Sequence, residues 1–401
     1  MEAAKPLTVA PRRATLAERL SLRYIDPVLL GVSIGLIAFS VFALASAGRH
    51  EVAGQPLYFA TRQGLYAVAG IALMVGLSRI DYLRLRDLRT GLYTAAIASV
   101  LVALVFGATA RGADRWIELP YFRFQPAELA KLLLCVSLAA FAFELVRRRS
   151  RLSDTFALLG LGLVPTALVL LQPDLGTALV LLVGTVAVLF VAGVPWQHFA
   201  AIAAAAALLA AGIFAVGSVL GIDGLRDYQE ERLTAFLHPS EDPSDASYQV
   251  NQSMIAVGSG GTTGRGDDAT QSELLFLPER HTDFIFAAIG ERFGFLGVAA
   301  VIVLYALLFW RALRVMRISQ SFYGTLIAGG ILAMLAFQVL VNVGMNLGMM
   351  PVTGITLPLM SYGGSSVVSS FLALGLLQSI HVQAQRRAQR PSAYSPVPAL
   401  N

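Results

Sequence analysis

The sequence predicts an all-α, polytopic membrane protein that crosses the bilayer about ten times. Of its 401 residues, 56% are hydrophobic and only 14% are charged, whereas a soluble domain carries about 25% charged residues. The apolar residues come in separate runs of about 20, the length that a helix rising 1.5 Å per residue needs to cross about 30 Å of hydrocarbon. Lipid, rather than one interior core, must therefore cover most of the apolar side chains.

Ten runs have the length of a transmembrane helix. In chain order they cover residues 28–47, 59–77, 91–110, 126–146, 156–171, 175–193, 200–220, 284–310, 324–347 and 355–380. The start of the tenth run is the least defined boundary, because polar residues interrupt it at 361–366.

The basic residues orient the chain. Nineteen of its 30 Lys and Arg residues lie in the segments 5–23, 79–89, 147–151, 311–317 and 386–390. Because Lys and Arg concentrate in cytoplasmic loops, both termini are predicted to be cytoplasmic.

Three regions follow from this orientation. Residues 1–27 form a cytoplasmic N-terminal arm, and residues 28–382 form the transmembrane domain. Residues 383–401 form a cytoplasmic tail that is rich in Pro, Ser, Gln and Arg, a composition typical of disorder.

The segment 221–283, between the seventh and eighth predicted helices, is a large extracytoplasmic loop with twelve acidic residues. Loops of this length are usually functional or disordered. Residues 249–257 show apolar helical spacing, and residues 273–277 form a short apolar stretch. The sequence therefore predicts a partly ordered cap on the outer membrane surface.

Composition excludes several kinds of site. The single cysteine, Cys135, rules out a disulfide framework and a thiolate metal cage. No metal site is predicted from the five histidines, which are scattered without an i, i+4 pair. The net charge is +5, but the arginines are divided among short loops, so nucleic acid is not a predicted partner.

Glu128 and Lys131 lie three residues apart at the outer start of the fourth predicted helix, so they share one face. The pair either anchors the helix end, or forms a polar pocket in which Lys131 faces an anionic group. Asp174 follows Pro173 and precedes the sixth helix. Helix capping and a functional role explain Asp174 about equally well.

The strongest candidate is Asp283, in the first turn of the eighth predicted helix, after Glu279, Arg280 and His281. An acid at this position is favoured by the helix dipole alone. A carboxylate between a polar cap and an apolar helix is equally suited to act as an outward-facing general base.

Two further polar groups have a structural explanation. Ser361, Tyr362 and Ser365 lie at the outer start of the tenth helix, and Asn342 and Asn346 lie on one face of the ninth. Small and polar residues commonly hold membrane helices together. The glycine-dense segment 258–266 fits neither the P-loop nor the dinucleotide fingerprint, and is interpreted as a flexible turn.

The candidate groups gather on the outer face of the membrane. A transporter with a polar pathway and an enzyme acting on a membrane-embedded substrate both fit them. Transporter sites lie near the bilayer midplane, so the outer position favours the enzyme.

Six motifs, in order along nearly the whole chain, resemble the SEDS (shape, elongation, division and sporulation) family of bacterial cell-wall glycan polymerases. They are Arg115-Trp116, the segment from Phe124 to Lys131, the segment from Gln172 to Thr177, Gly258-Ser259-Gly260-Gly261, the segment from Leu277 to Phe286, and Leu357-Pro358 with the segment from Ser361 to Ser365. The residues at 279–284 are more similar to the elongation member of the family than to its division member.

The resemblance implies a ten-helix bundle in the bacterial cytoplasmic membrane. It implies polymerisation of lipid II, a disaccharide–pentapeptide on undecaprenyl diphosphate, into β1,4-linked glycan. Its implied partners are membrane lipid and a class B penicillin-binding protein, the transpeptidase that crosslinks the product. A lipid II flippase, a non-catalytic scaffold and the division member of the family are the alternatives.

The resemblance also implies roles for individual residues. Asp283 matches the essential aspartate and would deprotonate the 4-hydroxyl of the acceptor sugar. Lys131 and Arg115 would face the leaving diphosphate, with Arg292 a weaker candidate and Glu128 orienting Lys131. The other implied substrate contacts are Trp116, Gln125, Asp174, Glu279, His281, Ser361, Tyr362 and Ser365. A divalent cation, Mg²⁺ or Mn²⁺, could assist, although the sequence shows no dedicated carboxylate cage.

Overall fold

The computed structural model describes residues 24–47, 55–110, 113–118, 123–146, 152–204, 245–273, 276, 277 and 279–389. The helices are α1 (Pro27–Ala47), α2 (Tyr58–Ser78), α3 (Arg89–Phe106), α4 (Pro126–Val146), α5 (Leu152–Leu171), α6 (Leu175–Val191), α7 (196–204), α8 (Asp245–Ser259), α9 (Ile285–Ile318), α10 (Phe322–Asn346) and α11 (Gly364–Ala388). The shorter pieces are 3-10 turns at Tyr82–Arg86 and Gly266–Asp268, one helical turn at Thr270–Glu273, and the strands β1 (Ala108–Ala110), β2 (Ala113–Glu118) and β3 (Arg123–Phe124).

The predicted polytopic helical fold is confirmed. Seven described helices are long and apolar enough to span a bilayer, namely α1, α2, α3, α5, α9, α10 and α11, and α6 is a shorter apolar helix. Most of the seventh predicted span and the loop up to residue 244 lie outside the described residues, as do 1–23 and 390–401. The cytoplasmic placement of both ends stays a prediction.

α10 and α11 form the interior of the bundle. In their most apolar stretches, 67% of the residues of α10 and 89% of those of α11 are buried, against 17% in α3. α4 packs against both and also against α3, α5 and α6. Glu128 and Lys131, in the first turns of α4, are accordingly both buried.

The small sheet was not predicted. The third predicted helix was expected to reach residue 110, but α3 ends at Phe106, because Gly107 is extended and residues 108–110 form β1. β1 pairs antiparallel with β2, and β2 with β3. The fold is therefore not purely α-helical at this outer loop.

The tenth predicted helix starts later and ends later than expected. Residues 351–357 are not helical, and Gly354 and Leu359 have left-handed φ angles of 71° and 65°, which no α-helix accommodates. α11 begins at Gly364 and continues through Ala388. The boundary of the C-terminal tail at 383 is therefore wrong, because Gln320 donates to the carbonyl of Ala384 and holds this last turn on the bundle.

The glycine-dense segment 258–266 is a packing element, and its interpretation as a flexible turn is wrong. α9 breaks at Gly294, where φ is 64°. The N–H groups of Phe295 and Leu296, freed by the break, donate to the carbonyls of Gly261 and Thr262 at 2.9 and 3.2 Å. This close approach of two backbones requires glycine, since a Cβ at position 264 would lie 2.1 Å from the carbonyl oxygen of Arg292.

Residues 249–257 of the predicted loop, which show apolar helical spacing, lie in α8, and α8 packs on α9 and α10. The backbone N–H of Gln271 donates to the carboxylate of Glu291 at 2.8 Å, and Arg292 forms an ion pair with Asp267. The outer loop is thus fastened to the first turns of α9, next to the strongest candidate residue.

Candidate active site

The turn 279–284, which leads into α9, places Asp283. Glu279 has a left-handed φ of 58°, which is uncommon for a residue other than glycine and persists only where neighbouring contacts hold it. The carbonyl of Glu279 accepts from the N–H groups of Thr282 and Phe284, both at 3.1 Å. The hydroxyl of Thr282 donates to the Glu279 carboxylate at 2.7 Å. Glu279 therefore shapes the turn.

A second turn, 357–362, docks on the first. The hydroxyl of Ser361 donates to the carbonyl of Thr282 at 2.6 Å and accepts from the N–H of Leu357 at 2.8 Å. The N–H of Tyr362 donates to the carbonyl of His281 at 2.8 Å. The structure thus brings Glu279, His281, Ser361 and Tyr362 together at Asp283.

Three aromatic rings cover this junction. The imidazole of His281 stacks on Phe59 with 4.4 Å between the ring centroids, and Tyr362 meets Phe59 edge-on at 4.9 Å. Phe59 belongs to α2, which the sequence assigned only to the bilayer. The rings form an apolar wall with polar edges, the combination that aromatic side chains offer at wet interfaces.

Asp283 itself is partly buried. A Cβ at Gly354 would lie 3.8 Å from its Oδ2, so this glycine lies directly beside the carboxylate. The backbone carbonyl of Asp283 accepts from Asn342 at 2.9 Å and from Asn346 at 3.1 Å. The negative charge stands at the N-terminal end of α9, where the helix dipole stabilises an anion.

Lys131 and Glu128 form a buried ion pair at the outer end of α4, with Nζ 2.7 Å from Oε1 and both side chains less than 10% exposed. The hydroxyl of Ser369 donates to the other carboxylate oxygen at 2.9 Å. The predicted contact across one helix face is therefore present. The pair lines a cavity of about 30 Å³ together with Gln338 and Ser370, which is large enough for a water molecule or two.

Asp174 caps α6. Its carboxylate accepts from the N–H and the hydroxyl of Thr177 at 3.1 and 2.9 Å, and from the amide of Gln125 at 3.0 Å. The N–H of Gln125 in turn donates to Ser365 at 2.9 Å. Asp174, Gln125 and Ser365 thus tie α4, α6 and α11 together, and the capping interpretation is the one that these contacts favour.

The segment 353–355 lies between Asp283 and the start of α6. On one side Gly354 faces Asp283, and on the other a Cβ at Gly176 would lie 2.6 Å from the carbonyl oxygen of Thr353. The N-terminus of α6, capped by Asp174, therefore packs directly on the segment that walls the Asp283 carboxylate. Asp283 and the residues at the start of α6 therefore contact the same short stretch of backbone.

Three predicted substrate contacts lie elsewhere or have side chains outside the described residues. Trp116 lies in β2 opposite Ala108 and is partly exposed. Arg115 precedes it in the same strand, and its side chain is outside the described part. The guanidinium of Arg292 pairs with Asp267 in the large loop, and its contact with the diphosphate stays a prediction.

Sequence reasoning missed Gln63 and Ser40. Gln63 is fully buried in α2; its amide nitrogen donates to the carbonyl of Ser361 at 3.1 Å, and its amide oxygen accepts from the N–H of Gly363 at 3.4 Å. Ser40 donates to the carbonyl of Met360 at 2.6 Å. The signal was a lone amide in an apolar run, since polar side chains inside membrane helices usually bond to a neighbouring segment.

Across the described ranges, no three His, Cys, Asp or Glu side chains converge in a group that could hold a metal ion. The described residues therefore do not fit a protein cage for a divalent cation.

Comparison with known proteins identifies the architecture. The family model FTSW_RODA_SPOVE, described as cell cycle protein, matches residues 24–386. The chain is 36% identical over 376 residues to the peptidoglycan glycosyltransferase MrdB of Escherichia coli K12, covering 94% of this chain and 97% of the relative. It is also 36% identical over 373 residues to a probable peptidoglycan glycosyltransferase FtsW of Idiomarina loihiensis, covering 90% and 88%.

Solved structures of two related proteins have the same fold as this chain. A chain of a peptidoglycan synthase complex that coordinates polymerization and crosslinking superposes with a TM-score of 0.75 at 35% identity, over 91% of this chain and 99% of that one. The rod shape determining protein RodA of Thermus thermophilus superposes with a TM-score of 0.64 at 33% identity, over 89% and 96%. With its membrane helices and these relatives, the chain belongs to the FtsW/RodA/SpoVE family, the SEDS family of multi-pass proteins of the bacterial cytoplasmic membrane.

Proposed function

We propose that this peptidoglycan glycosyltransferase polymerises lipid II into β1,4-linked glycan at the outer face of the membrane, with Asp283 as its general base. The observation that carries the proposal is the placement of Asp283. Its carboxylate stands beside Gly354 at the start of α9, while buried amides hold its backbone. A general base must come within about 2.6–3.2 Å of the proton it takes, and a backbone held in place keeps the carboxylate positioned for that contact.

The proposed reaction is a single displacement. Asp283 takes the proton of the acceptor 4-hydroxyl, and the oxygen attacks the anomeric carbon of the donor sugar. The bond from that carbon to the diphosphate breaks, and undecaprenyl diphosphate leaves with the electron pair. One displacement inverts an α-linked donor to a β1,4 product.

Lys131 is the proposed counter-charge for the diphosphate. Glu128 pairs with its ammonium at one edge of the cavity, and the hydroxyl of Ser369 holds the Glu128 carboxylate. A charge fixed in a low-dielectric site stabilises a developing anion more strongly than the same charge in water. Arg115 stays a proposed second cation.

The remaining proposed substrate contacts have two kinds of role. We propose that His281 and Tyr362, with Phe59, present the aromatic wall to the sugar rings, and that Trp116 extends it from the outer sheet. The polar atoms of Asp174, Gln125, Ser361, Ser365 and Glu279 already bond within the protein, so we propose that these residues shape the site. We propose that any Mg²⁺ or Mn²⁺ enters the site bound to the diphosphate of the substrate.

We also propose the cellular setting. The structural relative belongs to a complex that coordinates polymerization and crosslinking, which supports a class B penicillin-binding protein as the partner. The elongation relative MrdB supports a role in cell elongation and shape, with both chain ends in the cytoplasm.

Purified in detergent and given fluorescent lipid II, the chain should produce glycan ladders on a gel. Detergent micelles have no second leaflet, so a flippase would yield no polymer there, and neither would a scaffold. A folded preparation, supplied with its transpeptidase partner, that leaves lipid II intact would contradict the polymerase proposal.

Replacing Lys131 with methionine should lower kcat/KM for lipid II by about 10²-fold, because losing one fixed group that stabilises a developing anion typically costs about 10²–10³ in rate. The double variant Glu128→Gln/Lys131→Met removes both charges and is the matched control. If the pair only anchors α4, the double variant should recover stability and activity together. If Lys131 serves the diphosphate, stability returns in thermal unfolding while the polymerisation rate stays low.

A further inference from the structure

We propose that Asn342 and Asn346 of α10 position the general base, by supplying the hydrogen bonds that the start of α9 lacks. The inference rests on the proposed role of Asp283. Both asparagine side chains are fully buried. They were explained above by helix packing alone, and their contacts point to a more specific task.

The first regular hydrogen bond of α9 runs from the N–H of Ala288 to the carbonyl of Phe284, at 3.1 Å. One residue earlier, regular helical geometry would pair the N–H of Ala287 with the carbonyl of Asp283. The side-chain amide of Asn346 lies between these two groups instead. The N–H of Ala287 donates to Oδ1 of Asn346 at 3.0 Å, and Nδ2 of Asn346 donates to the carbonyl of Asp283 at 3.1 Å. The backbone of Asp283 is therefore oriented by α10 rather than by α9.

Asn342 adds a second constraint. Its Nδ2 donates to the carbonyl of Asp283 at 2.9 Å and to the carbonyl of Ile355 at 2.8 Å. Ile355 directly follows Gly354, which faces the Asp283 carboxylate. The amide of Asn342 thus holds the backbone of Asp283 and the neighbouring segment at Ile355 in a fixed position relative to each other.

The two asparagines also support each other and reach the outer loop. Nδ2 of Asn346 donates to the carbonyl of Asn342 at 2.8 Å, and the hydroxyl of Ser253 in α8 donates to the carbonyl of Asn346 at 2.9 Å. All these bonds end on backbone or amide groups. The asparagines are therefore positioning residues, which act on the reaction through Asp283.

The test replaces each asparagine with leucine, which is similar in size and cannot hydrogen-bond. A base misplaced by 1 Å costs about 10²-fold, so we expect Asn346→Leu to lower kcat by about that factor, with KM for lipid II within about twofold of wild type. Gln378→Leu is the matched control. Gln378 is a buried amide that bonds the backbone N–H and carbonyl of Asp26 at the other end of the bundle, so its loss should lower the unfolding temperature and leave kcat unchanged.

Asn346→Asp covers the case in which the leucine variant does not fold, since it keeps the acceptor for Ala287 and removes the donor to Asp283. A double-mutant cycle supplies a readout that general damage would not give. In the Asp283→Asn background, Asn346→Leu should cause no further loss of residual rate, because coupled residues are not additive.

Folded asparagine variants that polymerise at the wild-type rate, while Asp283→Asn is inactive, would overturn this inference and leave the proposed base in place. A rise in KM with unchanged kcat, or an equal loss in both backgrounds, would overturn it as well. Normal polymer from Asp283→Asn would instead remove the base itself, and with it the role of both asparagines.

Discussion

Replacing Asp283 with asparagine should reduce the rate of glycan polymerisation by about 10²–10⁴-fold, the contribution typical of a general base. Asparagine has the shape of aspartate, so the contacts of the backbone carbonyl with Asn342 and Asn346 and the spacing to Gly354 should survive. What is lost is the ability to accept a proton from the acceptor hydroxyl. The measurement is the initial rate of polymer formation from lipid II.

The control for this variant is Asp81→Asn. Asp81 caps the 3-10 turn at Tyr82–Arg86 by accepting from the N–H of Leu83 at 3.0 Å. Asparagine caps a helix about as well as aspartate, so the same chemical change should leave the rate unaltered there. A folded Asp283→Asn protein with wild-type polymer yield would refute the assignment of the base, whatever the control shows.

Asp283 could be selected from the sequence because an ionisable residue at the boundary of a membrane helix is a functional candidate by default. The ion pair of Glu128 and Lys131 could be predicted from spacing alone, since residues three apart share a helix face. α4 was predicted with its observed bounds, because a proline starts its apolar run and an arginine cluster follows it. These features are local, and local rules are sufficient for them.

The shape of the site could not be predicted, because it depends on contacts between distant segments. The left-handed backbone at Glu279 and Leu359 is held by the docking of two turns about 80 residues apart. The break at Gly294 is satisfied by carbonyls of the outer loop. Hydropathy reports whether a side chain prefers lipid, and it carries no information on which carbonyl a buried amide such as Asn346 will reach.

The end of the bundle opposite Asp283 should be highly sensitive to the loss of a buried charge. Asp26 is fully buried; its Oδ1 caps α1 by accepting from the N–H groups of Val28 and Leu29, and its Oδ2 accepts from the guanidinium of Arg311 in α9. Asp26→Asn keeps an oxygen for the cap but leaves the charge of Arg311 buried without its counter-ion. Breaking a buried pair in this way costs about 3–5 kcal/mol, which we expect as loss of unfolding free energy in detergent.

Two comparisons isolate the buried charge as the cause. The double variant Asp26→Asn/Arg311→Met removes both charges, and should recover much of the stability, because a buried pair replaced as a whole is often nearly neutral. Asp87→Asn breaks an exposed pair with Arg86, whose side chains are 77% and 38% exposed, and should cost less than about 1 kcal/mol. Equal losses from Asp26→Asn and Asp87→Asn would contradict this account. Since the Asp26 pair lies at the opposite end of the bundle from Asp283, the folded fraction of every one of these variants should polymerise glycan at the wild-type rate.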